Sequence, residues 1–253
     1  MGRIISIVNQ KGGVGKTTTS VNLAAALAIL KKKVLIIDID PQGNSTSGLG
    51  LPKENLVNTV YDVFIDKTKI ENTIKNTEVD NLHIVPSNND LIGANIELHT
   101  IENKEKILKN QIDNIKFKYD FILIDCPPSL GYLTLNALVA SDSILIPLQC
   151  EFFAMEGLAQ LMNTFNLIKK RLNTKLKIEG IVLTMFDNKT HISGEVENEV
   201  RKHFSNKVFK TTIPRNSKLA ESPSFGKPIM LYDIVSKGST SYFLLAKEVI
   251  NNG

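Results

Sequence analysis

Ile4-Ile5-Ser6-Ile7-Val8-Asn9-Gln10-Lys11-Gly12-Gly13-Val14-Gly15-Lys16-Thr17-Thr18 joins a short β-branched run to a segment of helical period through a glycine-rich turn, and this stretch decides the fold. Gly12, Gly13 and Gly15 permit backbone conformations closed to other residues and let main-chain N–H groups approach phosphate oxygens closely. A helix opening near Lys16 adds its positive dipole end to those donors. Lys16 then reaches the β and γ phosphates of a nucleotide, and the Thr17 hydroxyl can serve Mg²⁺. Strand, glycine loop and helix in that order are the context a phosphate-binding loop requires.

The rest of the chain repeats the alternation of the opening. Strands are expected at 4–8, 34–39, 82–85, 121–125, 143–147, 178–184 and 208–213, mostly as near-continuous apolar runs suited to burial on both faces. Helices are expected at 16–30, 90–98, 104–115, 133–140, 155–172, 195–204 and 241–251. The fold class is therefore α/β: a single-domain P-loop NTPase with a mainly parallel twisted sheet flanked by helices on both faces. With no repeat, Pro-rich linker or composition break, residues 1–253 are expected to form that one domain.

Composition agrees with a globular protein, at 42% hydrophobic and 22% charged residues. The net charge of +4 is unevenly spread: residues 1–168 carry 15 basic and 18 acidic side chains, whereas 169–253 carry 15 basic and 8 acidic. Cys126 and Cys150 form no disulfide framework or metal-ligand spacing, and no apolar run is long enough for a signal peptide or membrane span. A cytoplasmic location is expected.

Three carboxylates accompany the loop. Asp38 and Asp40 leave the second apolar strand, and Asp125 ends the run Phe121 to Ile124. In a parallel sheet these strand ends share the edge where the nucleotide lies. Asp125 has the Walker B arrangement and would hold Mg²⁺ through a water. Asp38 supports the metal shell or is structural, and its type and position fit both. Pro41, Gly43, Asn44, Ser45 and Gly48 suit a loop that changes shape with the γ-phosphate.

The usual phosphate loop has glycine where this chain has Gln10, with Lys11 beside it. Together with Val34 to Gly50 (VLIIDIDPQGNSTSGLG), Ile122 to Ser129 (ILIDCPPS), Ile213 to Asn216 (IPRN) and Ala220 to Ile229 (AESPSFGKPI), this resembles the ParA/Soj family of partitioning ATPases over essentially the whole chain. The group is the ParA and MinD class with a deviant phosphate loop, and the chain resembles the small type without an N-terminal helix-turn-helix. The resemblance implies ATP and Mg²⁺ as ligands, with Lys11, Lys16 and Asp40 as catalytic residues. It implies that Lys11 crosses a face-to-face homodimer to the partner's phosphates, and that Asp40 orients the attacking water. Nucleotide contacts would come from Lys11, Gly12, Gly13, Val14, Gly15, Lys16, Thr17 and Thr18, with Met185, Pro214 and Asn216 at the adenine. Thr17 and Asp125 would serve the metal.

The same resemblance implies a ParB-like centromere-binding partner, a nucleoid-associated location and non-specific double-stranded DNA binding through Lys189, Arg215 and Lys218. Phosphate-directed contact fits a basic third that shows no zinc finger or recognition-helix signature. The nearest rival is a MinD-like membrane-associated ATPase for division-site placement, which would end in a basic amphipathic helix. Tyr242 to Gly253 (YFLLAKEVINNG) carries one Lys and one Glu, so it is expected to pack on the core, and no membrane partner is expected. An iron–sulfur reductase of this class is disfavoured by the cysteine spacing.

Overall fold

The computed structural model describes residues 2–54 and 56–252. The chain runs β1 Arg3–Ile7, α1 Lys16–Ile29, β2 Val34–Asp38, α2 Asn44–Gly48, α3 Val60–Phe64, β3 Lys75–Asn76, β4 Leu82–Val85, α4 Leu91–Glu97 and α5 Ile107–Asp113. It continues through β5 Phe121–Asp125, α6 Tyr132–Ala140, β6 Ser143–Gln149, α7 Ala154–Arg171, β7 Lys177–Thr184, α8 His191–Phe204, α9 Ser217–Glu221, α10 Ile229–Tyr232 and α11 Lys237–Asn251. One sheet has the order β3-β4-β2-β5-β1-β6-β7. All pairs are parallel except the short edge strand β3, which lies antiparallel to β4.

Both faces of the sheet are covered, which is why its inner strands are apolar along most of their length. Ile4, Leu35, Ile37, Ile122 and Ile124 join one buried cluster with α3 to α8. Their alternates Ile5, Ile7, Val34, Ile36 and Leu123 join the other, beneath α1, α10 and α11. Helix α1 is rich in alanine, and Leu23 to Leu27 are wholly buried between the sheet and α11. The tail helix buries Tyr242, Leu245, Ala246 and Val249, and the Tyr242 hydroxyl lies 3.2 Å from Thr19 Oγ1. It packs on the core, as its composition implies.

Two expectations need correction. Residues 208–213 run beside β7 but form only isolated bridges, Ile181 to Val208 and Phe186 to Pro214. The backbone N–H groups of Lys210 and Thr211 instead donate to the Glu248 carboxylate of α11, both at 2.8 Å, so the ladder cannot close. Residues 44–48, read as a loop, form α2. Gly43 starts it at φ 57°, a left-handed conformation that glycine adopts without cost. The side chains of Ser45 and Thr46 then fasten it to the sheet.

Candidate nucleotide and metal site

The loop after β1 opens at the carboxyl edge of that interior strand, which β5 and β6 flank. Gly13 and Gly15 lie at φ 75° and 85°, and a Cβ on Gly12 would meet no atom within 4 Å. The backbone is thus turned toward open space rather than toward neighbouring side chains. Gly15 begins α1 with no side-chain cap, leaving the first-turn N–H groups to an anion. Asn9 fixes the loop from within: its Nδ2 donates to Pro147 O at 2.8 Å and its Oδ1 accepts from the Lys11 N–H at 3.0 Å. Thr184 Oγ1 holds Val14 O at 2.8 Å from the opposite side.

The two loop lysines are arranged differently. Lys16 is buried, and its ammonium donates to Lys11 O at 3.0 Å. Burial lowers its pKa, while the carboxylates of Asp125 and Asp40 work to keep it charged. Lys11 instead extends outward, with its ammonium 2.5 Å from Glu151 Oε2.

Strand pairing sets Asp38 and Asp125 directly opposite each other at the ends of β2 and β5. Asp38 accepts from Thr46 N at 2.9 Å, Thr46 Oγ1 at 2.8 Å and Asp40 N at 3.2 Å. Asp125 accepts from Ser20 Oγ at 2.8 Å and Ser45 Oγ at 2.7 Å, and the Thr17 side chain also favours its charged form. Both carboxylates are fully buried. Desolvation, then repulsion from Asp125, pushes Asp38 up to about 8. Desolvation likewise pushes Asp125 up to about 6 against its hydroxyl donors.

This hard-oxygen set, short of positive charge, fits Mg²⁺. Among the described residues no group of three or more His, Cys, Asp or Glu side chains forms a cage for a metal. Asp38 is already committed to Thr46, whereas Asp125 is ringed by hydroxyls that can turn away. Asp40 is nearly buried and takes the Gln42 N–H at 2.9 Å, and its main chain accepts from Gly43 N at 2.8 Å. It therefore sits where β2 passes into α2, beside Lys16.

Met185, Pro214 and Asn216 line one cleft of about 190 Å³ with Gly15, Thr18 and Tyr242. Its lining is mainly apolar, as a flat aromatic base requires. Met185 is held at φ 48°, pinned by the Phe186 N–H donating to Ile213 O at 2.9 Å. Asn216 also caps α9, its Oδ1 accepting from Lys218 N and Leu219 N. Arg215, assigned from the resemblance to DNA, lines this same cleft. Lys189 and Lys218 are exposed beyond the end of β7, with Lys218 3.0 Å from Glu221 Oε2. Burial pushes the Cys126 thiol up, so it is a core side chain rather than a nucleophile. Sequence reasoning missed Asn9, Ser20 and Glu151, and passed over the anchoring by Ser45 and Thr46. Only the last two, close behind Asp38 and Asp40, had a local signal.

A family model described as an AAA domain matches residues 2–178. The sporulation initiation inhibitor protein Soj of Bacillus subtilis is 56% identical over 253 residues, with 100% of both chains covered. The chromosome partitioning protein ParA of Myxococcus xanthus is 52% identical over 250 residues, covering 99% of this chain and 88% of that one. Among solved structures, a cobyrinic acid a,c-diamide synthase from Mycobacterium smegmatis with bound ADP and magnesium superposes with a TM-score of 0.87 at 33% identity, covering 99% of this chain and 95% of the other. The cell division ATPase MinD of Pyrococcus furiosus gives 0.83 at 30% identity over the full length of both. The MinD resemblance is the more distant, so the phosphate loop, the paired strand-end carboxylates and the full-length likeness place the chain in the ParA/Soj family of chromosome-partitioning P-loop ATPases.

Proposed function

We propose that residues 1–253 act as one ATPase domain that pairs face to face when ATP is bound, holds non-specific double-stranded DNA as that dimer, and releases it after hydrolysis. The observation that carries this reading is the division between the two lysines: Lys16 is folded into its own loop, while Lys11 extends away from it. A cation supplied in trans offsets phosphate charge only when two subunits meet, which couples nucleotide state to pairing. Large apolar side chains stand exposed around the same edge, with Ile92 at 58%, Ile96 at 78%, Phe152 at 78% and Phe153 at 62%. They follow the carboxyl ends of β4 and β6, and a partner docked there would bury them.

In the hydrolytic step, the N–H groups of Gly12 to Thr18 cradle the phosphates, and Lys16 neutralises charge on the β and γ groups. Asp40 orients the attacking water and accepts its hydrogen bond. The Thr17 hydroxyl and, through water, Asp125 would hold Mg²⁺, which would supply positive charge to the phosphate oxygens. Met185, Pro214 and Asn216 seat the adenine. The γ-phosphoryl group passes to water, leaving ADP and inorganic phosphate. A ParB-like protein stimulating this step, with the ATPase on the nucleoid in the cytoplasm, completes the partition cycle.

The deciding experiment is sedimentation with duplex DNA in the presence of ATP, ADP or no nucleotide, on the parent and on Lys11→Ala. Pairing and DNA retention are expected only with ATP, and Lys11→Ala should lose both while still binding nucleotide. Equal DNA retention in all three nucleotide states, or a Lys11→Ala dimer of normal stability, overturns the reading.

A further inference from the structure

We infer that Glu151 is a positioning residue that holds Lys11 within its own subunit and competes with the partner's phosphates for it, so that it sets the nucleotide threshold for pairing. The inference rests on the proposed role of Lys11 in trans. The contact is built from both sides onto the same strand end. Glu151 receives Lys11 Nζ on Oε2 at 2.5 Å and Gln149 Nε2 on Oε1, also at 2.5 Å. Gln149 is the last residue of β6, so the carboxylate is fixed to the sheet. On the other side the Lys11 backbone hangs from Asn9, which is itself tied to Pro147 of β6.

The strength of the contact matters as much as its geometry. The side chains of Lys11 and Glu151 remain 38% and 47% exposed, so solvent screens the pair and it can open. A single carboxylate is a poorer acceptor for an ammonium than a triphosphate, which carries more charge on more oxygens. Loss of the γ-phosphate shifts that contest back toward Glu151. The own-subunit nucleotide takes part as well. The Lys16 ammonium donates to the Lys11 carbonyl, and phosphates in the loop offer it a better acceptor, which frees the Lys11 backbone. Phe152 and Phe153, next to Glu151 in sequence, are among the exposed apolar residues of the proposed pairing face. Glu151 therefore stands where the two claims on Lys11 meet.

The test is sedimentation velocity of Glu151→Gln and the parent, each titrated with a non-hydrolysable ATP analogue and Mg²⁺. Removing a screened ion pair from each of two subunits should lower the dimer dissociation constant roughly two- to thirtyfold. Glu151→Asp, which keeps the charge on a shorter arm, should fall between. Glu151→Gln should keep the parent's urea midpoint and its nucleotide affinity as a monomer while the dimer constant moves, whereas a merely structural role would lower the midpoint. A dimer constant for Glu151→Gln equal to or weaker than the parent's overturns the inference. If Lys11→Ala is monomeric while Glu151→Gln matches the parent, only the role of Glu151 fails. If Lys11→Ala pairs normally, the trans-lysine reading itself fails.

Discussion

Replacing Thr46 by valine should loosen α2 without leaving a hole, and the size of the effect can be worked from two hydrogen bonds. Thr46 Oγ1 donates to Asp38 Oδ2 at 2.8 Å and accepts from Ser87 N at 2.9 Å. All three residues are fully buried. Valine has nearly the same shape, so the change removes polarity rather than volume. The hydroxyl-to-carboxyl bond is worth about 1 to 3 kcal/mol, and an orphaned buried N–H such as that of Ser87 costs a further 1 to 3. A loss of about 3 kcal/mol is expected, against about 5 to 15 kcal/mol for a whole domain. Thr46→Ser keeps both hydrogen bonds and should cost about 1 kcal/mol for the missing methyl.

The chain has no tryptophan, so urea unfolding is best followed by circular dichroism. With a slope of about 3 kcal/mol per molar, the Thr46→Val midpoint should fall by about 1 M. Because α2 follows Asp40 directly, ATP turnover should drop further in Thr46→Val than in Thr46→Ser at a temperature where both are folded. A valine variant within 0.5 kcal/mol of the parent by the same titration would show that the Asp38–Thr46–Ser87 chain does not hold the helix.

Two further outcomes are expected. Replacing Lys189 and Lys218 together by glutamate should spare ATP-dependent pairing and abolish DNA retention, whereas retention insensitive to the change or to salt removes both residues from the DNA face. Burial raises both Asp38 and Asp125 above their unfolded values, so this carboxyl pair binds more protons folded than unfolded and its contribution to the metal-free protein's stability falls as pH rises from about 4 toward about 8. Mg²⁺ favours the ionised carboxylates, so the gain in melting temperature from adding Mg²⁺ to the ADP-bound protein should grow between pH 6 and pH 8; a constant gain contradicts the assignment.

How legible these features were depends on where their stabilising partners lie. The phosphate loop was plain in sequence because its backbone needs positive φ at Gly13 and Gly15, and that need is written locally as glycine. Asp125 was legible for a similar reason, since an apolar run ending in Asp needs no distant partner to be noticed. The pairing of Asp38 with Asp125 was not, because it depends on β5 inserting between β2 and β1. Helix α2 was hidden for the same cause: its five residues, Asn, Ser, Thr, Ser and Gly, have little helical tendency, and carboxylates of two strands supply what is missing. The expected strand at 208–213 keeps two hydrogen bonds to β7, from the Phe209 and Ile213 N–H groups, but Glu248 takes the Lys210 and Thr211 N–H groups between them.

Arg215 and Glu151 teach a different point. Arg215 was read from charge and resemblance, yet the fold sets it against the cleft assigned to adenine. Glu151 lies 140 residues from Lys11 and has no local mark at all. Motifs reveal the groups that a ligand must always meet, whereas the groups that restrain them between encounters are chosen by the tertiary fold. In this protein the glycine loop and the strand-end Asp125 were readable from the chain, and the contacts that tie them to other elements were supplied by the sheet order and the loops at its carboxyl edge.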